Sequence, residues 1–142
     1  MTVSKSLVFY ADDDDDDREF VAEAFQLYDG YIELKTFNDG VELLSYIDTY
    51  PQPYPCLVIL DINMPKVDGK DTLRLLRQKQ GYENIPVVVF TTSSLPADSY
   101  FAKHYKAGFI TKPLDLRQMS AIVEQFLDFC TEEEKEKFKK RK

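Results

Sequence analysis

The chain has 142 residues, enough for one ordinary domain with a real core and too few for two. At 44% hydrophobic it is expected to fold without metal or disulfide staples, and Cys56 and Cys130, far apart in sequence, match no metal-ligand spacing and fit a reduced, cytoplasmic setting. A formal net charge of −7 argues against nucleic-acid binding, which demands a basic footprint.

The apolar run Leu7-Val8-Phe9-Tyr10-Ala11 is too short for a signal-peptide core or a membrane span and ends in acids, so it predicts a buried strand. From Arg18 to Tyr28, the residues Phe20, Val21, Ala24, Phe25 and Tyr28 recur at three- and four-residue spacing, which predicts one helix face. Asp29-Gly30 stops that helix, and Tyr31 to Phe37 alternates as a second strand. Asn38-Asp39-Gly40 opens a helix carrying Val41, Leu43, Leu44 and Ile47, and the prolines between Pro51 and Pro55 make a loop.

Leu57-Val58-Ile59-Leu60 is continuously apolar, as a central parallel strand is. Asp68-Gly69 leads into a helix with Leu73 and Leu76 inside and arginines outside. Val87 to Phe90 is a fourth strand, Pro96 to Tyr105 a weaker helix, and Phe109-Ile110-Thr111 a short fifth strand. Leu116, Met119, Ile122, Val123, Phe126 and Leu127 form a single helical stripe. Residues 131–142 read as a charged, solvated extension of that last helix, leaving residues 1–130 as the domain. Strands separated by helices of this length imply right-handed crossovers, hence a doubly wound α/β sheet of (βα)5 type, with helices on both faces.

In an open parallel sheet, ligands bind outside the carboxyl ends of the strands. Four of the five predicted strands end there in a chemically useful residue: Asp12-Asp13, Asp61, Thr91 and Lys112. Three carboxylates in one crevice repel each other and call for a counter-charge. Oxygen ligands with no His or Cys nearby favour magnesium over zinc. Lys112 offers a second, mobile positive charge, and Thr91 a hydroxyl donor. An aspartate nucleophile can take a phosphoryl group as an acyl phosphate, a reaction that needs little beyond positioning and charge neutralisation.

Asp12-Asp13, then Asp61-Ile62-Asn63-Met64-Pro65-Lys66-Val67-Asp68-Gly69, then Thr91-Thr92, then Lys112-Pro113, fall in this order at the strand ends. The pattern resembles the response regulator receiver family, with motif matches from Leu7 to about Pro113 and similar helical sequence to Phe129. It is most similar to stand-alone receivers of the chemotaxis-regulator kind. The resemblance implies a flavodoxin-like sheet of strand order 2-1-3-4-5. It also implies that Asp61 accepts a phosphoryl group from a phosphohistidine on a histidine kinase or phosphotransfer protein. Asp13 and Asp61 would hold Mg2+ directly, with the backbone carbonyl of Asn63 as a third ligand and Asp12 acting through water. Lys112 would bind a phosphoryl oxygen, and its bond to Pro113 would be cis. Thr91 would move toward the phosphoryl group and let Phe109 turn inward, a two-state switch. The output would be an unnamed downstream protein, with neither DNA-binding domain nor membrane. The chain would act as a monomer or a weak homodimer through the fourth helix, fifth strand and fifth helix. Any enzymatic activity would be limited to its own phosphorylation and dephosphorylation.

The chain departs from the family pattern at Asp15, where relatives often have proline, and at Tyr105-Lys106, where they usually place a Gly-Ala pair. Phe109 also lacks the hydroxyl of the commoner tyrosine. For Asp14 to Asp17 the plain reading is a solvated acidic stretch, in which Asp16 and Asp17 suit a helix N-terminus and Asp14 stays open. His104 reads as a surface residue. A dehalogenase-type phosphohydrolase would also phosphorylate a strand-end aspartate, but it wants D-x-D, and the second position here is Asn63. A pseudo-receiver that only binds partners is at odds with the complete acceptor set.

Overall fold

The computed structural model describes residues 5–62, 69–115 and 118–139. The elements are β1 (Ser6–Ala11), α1 (Asp15–Phe25), β2 (Ile32–Phe37), α2 (Gly40–Thr49), β3 (Leu57–Leu60), α3 (Gly69–Arg77), β4 (Val87–Thr91), α4 (Pro96–His104), β5 (Gly108–Thr111), α5 (Met119–Leu127) and α6 (Glu132–Lys139). The strands form one five-stranded parallel sheet in the order β2-β1-β3-β4-β5. This is the predicted flavodoxin-like order, with β3 at its centre between β1 and β4.

Strand side chains alternate between the two faces, and so does the core. Val8, Tyr10, Leu57, Ile59, Val88 and Phe90 point to one face, where they meet Val21 and Phe25 of α1 and Val123 and Phe126 of α5. Phe9, Ala11, Val58, Leu60, Val87 and Val89 point to the other, against Leu43, Leu73, Leu76 and Ala102 from α2, α3 and α4. Covering both faces is what permits the all-apolar strands at the centre.

Helix α1 starts earlier than its apolar spacing predicts, because the Asp14 side chain caps it by accepting from the Asp17 amide at 3.1 Å. The tail also differs from expectation, since residues 132–139 do not extend α5. Helix α5 ends at Leu127, and Thr131 starts a new helix, its Oγ1 accepting from the Glu134 amide at 3.3 Å. Phe138 is buried against the first core layer, its ring 6.3 Å from that of Tyr28. One buried aromatic explains why the charged tail folds back instead of running into solvent.

The loop that departs from the family pattern has a definite cap. Ala107 N donates to Ala102 O at 2.8 Å and Lys106 N to Lys103 O at 3.0 Å, while Lys106 takes φ 62°. This is a Schellman ending with lysine at the left-handed position that glycine usually fills. Arg77 holds the loop from below, donating to the carbonyls of Tyr82, Ile85, Tyr105 and Lys106 at 2.6 to 3.1 Å. We expect Lys106→Gly to stabilise the fold by about 1 kcal/mol, read as a higher urea midpoint with an unchanged slope. A lower midpoint would mean that the Lys106 Nζ contact to Asn84, 2.8 Å long, outweighs the backbone strain.

Candidate functional site

The last rungs of the parallel ladder align the strand ends. Asp12 N donates to Phe37 O, Asp61 N to Ala11 O, and Lys112 N to Thr91 O, at 3.1, 3.1 and 2.7 Å. Asp12, Asp61, Thr91 and Lys112 are thereby gathered at one edge of the sheet, and all four are buried. Asp13 beside them is exposed. Carboxylate oxygens of Asp12, Asp13 and Asp61 all lie within 4.8 Å of one another.

Lys112, expected from the sequence to be a mobile charge, is held by three partners in this structure. Its Nζ donates to Asp12 Oδ2 at 2.8 Å, Asp17 Oδ2 at 2.6 Å and Asp61 Oδ2 at 2.9 Å, and it lies 5.7 Å from the Phe90 ring. An ammonium has three donors, and three carboxylates use them. Burial alone would push the Lys112 pKa down, but hydrogen bonds to Asp12, Asp17 and Asp61 outweigh it and the net shift is upward. Three carboxylates against one ammonium leave two formal negative charges, and Asp13 brings the site to three.

Two residues join this cluster that the sequence reading left out. Asp17 was expected to be a solvated helix-start acid, yet it is buried and bonded to Lys112. Its spacing to Val21 and Ala24, on the buried face of α1, is the signal that was present. Tyr10, read only as a strand residue, donates its hydroxyl to Asp12 Oδ2 at 2.5 Å. Burial first, then the Asp12 charge, pushes its pKa far up, so the phenol stays a donor. Arg18 Nη1 adds a bond to the Asp12 carbonyl at 2.6 Å.

Thr91 Oγ1 accepts from the Ser93 amide at 3.2 Å, and Ser93 in turn donates to Asp98 at the start of α4. Lys70 of α3 pairs with the same Asp98 at 2.6 Å. Hydrogen bonds from Lys70 first and Ser93 second hold the Asp98 carboxyl below its usual range. Phe109 is half-buried and packs on the second core layer. Asn63, with Met64, Pro65 and Asp68, lies outside the described residues, as does Leu116. The Lys112–Pro113 bond departs from expectation: Gln52–Pro53 is the cis bond among the described residues, and Lys112–Pro113 keeps the trans form that X–Pro bonds prefer by about 0.5–1 kcal/mol.

A family model described as the response regulator receiver domain matches residues 8–124. The chain belongs to that receiver family. Response regulator Rcp1 of Synechocystis sp. is 27% identical over 132 residues, 89% of each chain. Among solved structures, the phosphorylated cyanobacterial phytochrome response regulator RcpA superposes with a TM-score of 0.82 at 28% identity, covering 89% of this chain and 94% of the other. The Mn(2+)-bound form of Rcp1 gives 0.78 at 26%, covering 87% and 93%. Receiver domains bind a divalent cation through an acidic cluster, and the Asp12, Asp13 and Asp61 cluster of this receiver is consistent with that. No helix among the described residues is long and apolar enough to cross a membrane.

Gly69 opens α3 directly against the Asp61 strand end. A Cβ there would lie 2.2 Å from both the Asp61 carbonyl oxygen and the Ile62 Cα, and those backbone atoms cannot swing away. Gly69→Ala should cost on the order of 1–3 kcal/mol in urea unfolding and shift the amide resonances of Asp61 and Ile62. Unchanged stability and spectra would show that α3 is free to retreat.

Proposed function

We propose that this receiver takes a phosphoryl group on Asp61 from the phosphohistidine of a histidine kinase or phosphotransfer protein, and that the change of state controls a downstream protein. The observation that carries the reading is the convergence of Asp12, Asp13, Asp61, Thr91 and Lys112 at one sheet edge with an excess of negative charge. An Asp61 carboxylate oxygen attacks phosphorus as the phosphorus–nitrogen bond breaks, and the electron pair returns to the donor imidazole, which takes up a proton.

The donor set fits magnesium, since it offers carboxylate oxygens and no nitrogen or sulfur ligand. Asp13 and Asp61 would hold the ion directly, Asp12 through water, and the Asn63 carbonyl would add a ligand. When bound, Mg2+ supplies neutralisation of carboxylate and phosphoryl oxygens in the same crevice. Lys112 starts the reaction already bonded to Asp61, so its Nζ is within reach of an oxygen placed on that carboxylate. Thr91 changes partner from the Ser93 amide to the phosphoryl group, which pulls on the strand that leads through Ser93 to Asp98 and α4. Phe109, packed behind that segment, follows inward.

In this reading residues 1–130 are the signalling unit, a cytoplasmic one, and residues 131–142 an addition to it. The α4, β5 and α5 face is its contact surface for a partner or a second copy.

Incubation with acetyl phosphate and magnesium, followed by intact mass, should show a labile gain of one phosphoryl group. Asp61→Asn should abolish the gain, and chelation of magnesium should suppress it by orders of magnitude. A folded, magnesium-loaded protein that gains nothing would sink the reading, and steady turnover of unrelated phosphoesters would point to a hydrolase.

A further inference from the structure

The sequence places Cys56 and Cys130 far apart, but the fold brings their sulfurs to 4.0 Å. Both backbones are anchored. Cys56 precedes β3, its amide donating to Leu7 O at 2.8 Å, and Cys130 sits in the turn between α5 and α6, its amide donating to Leu127 O at 3.1 Å. The two thiols differ in access. Cys130 is buried, whereas Cys56 is half-buried and lines an open cavity of about 560 Å³ with Leu7, Pro53, Pro55 and Glu134. The cavity lies at the amino-terminal edge of the sheet, opposite the acid cluster. Cys130 also falls outside residues 8–124, the stretch that defines the family.

We propose that Cys56 and Cys130 are a reversible oxidation site, which a hydroperoxide converts to a disulfide that fastens the α5–α6 turn to the start of β3. The Cys130 thiol donates its hydrogen bond to the Cys56 sulfur, which leaves Cys56 the acceptor, beside the cavity, and Cys130 the second reactant. That hydrogen bond, together with burial, pushes the Cys130 thiol up, so the proton stays on Cys130 until the second step. The Cys56 sulfur attacks a peroxide oxygen, the oxygen–oxygen bond breaks, and the leaving oxygen takes up the proton that Cys56 gives up and departs as water or an alcohol. The Cys130 sulfur then attacks the Cys56 sulfenic acid, the sulfur–oxygen bond breaks, and hydroxide leaves as water with the Cys130 proton. Two thiols are oxidised, and one hydroperoxide is reduced.

A disulfide needs its sulfurs at about 2.05 Å, so the two must close by about 2 Å for the bond to form. Residues 57–129 are then enclosed in a covalent loop, and α6, already tied to Ser6 by Glu134 and Lys137, is pinned at its root. Cytosolic disulfides of this sort are usually transient and redox-sensing, which is compatible with cysteines that rest as thiols.

The test treats the full chain, metal-free, with a modest excess of hydrogen peroxide and follows intact mass and thiol titre. The expected result is a monomer about 2 Da lighter with both thiols lost together, restored by dithiothreitol, and a peptide joining Cys56 to Cys130. The oxidised form should melt on the order of 10 °C higher and resist trypsin after Lys135 and Lys137. Cys130→Ser should stop at a sulfenic acid on Cys56 that dimedone traps, and Cys56→Ser should leave Cys130 unreacted. Independent oxidation of the two thiols in the wild-type chain, or dimers joined between molecules, would overturn the proposal without recourse to either variant. The experiment involves no phosphoryl chemistry, so its outcome is separate from that of the Asp61 assignment.

Discussion

Everything at the carboxyl edge of the sheet is arranged around the Lys112 ammonium, which sits among Asp12, Asp17 and Asp61. Removing one partner from a buried charge group of this kind typically costs about 3–5 kcal/mol, because the charges left behind are uncompensated. The cluster therefore ties three regions that share no sequence neighbourhood: the end of β1 with the start of α1, the end of β3, and the segment after β5. Tyr10 and Arg18 add bonds to Asp12 that fix its orientation. The cluster is also deliberately short of positive charge. One lysine cannot balance four nearby acids, and the shortfall is what a divalent cation can answer.

The same edge connects to the rest of the molecule through β4. Thr91 leads to Ser93, Ser93 to Asp98, and Asp98 to Lys70 on the neighbouring helix. A change of partner at Thr91, as proposed, would thus be felt at the start of α4, and α4 ends in a cap clamped by Arg77. Signalling through this face would move a braced helix rather than remodel a loose loop. The sheet's opposite edge carries an independent device, the thiol pair beneath α6. Residues far from the acid cluster can therefore be modified without touching it.

Much of this was legible in the residues. Continuous apolar strands, helix-period stripes and acids at strand ends predicted the parallel sheet and the gathering of Asp12, Asp61, Thr91 and Lys112, while the strand order came only with the family resemblance. What escaped was decided by contacts between distant segments. Asp17 looked like one more solvated acid in a run of six, and only the approach of Lys112 across the sheet sets it apart. The Cys56–Cys130 approach and the turn of α6, where Phe138 meets Tyr28, join segments distant in sequence, although Thr131 followed three residues on by Glu134 was a helix-start signal in plain view. The Lys106 ending shows how the chain manages without glycine. Arg77 and backbone bonds hold a conformation that the residue itself disfavours.

The most direct test is urea unfolding of the wild-type chain and Lys112→Ala, each with chelator and with magnesium. The charge-cluster account predicts that, without metal, the variant loses about 3–5 kcal/mol, and that magnesium restores much of the loss while stabilising the wild type less. A variant that unfolds at the wild-type midpoint without metal, with neither protein responding to magnesium, would contradict it.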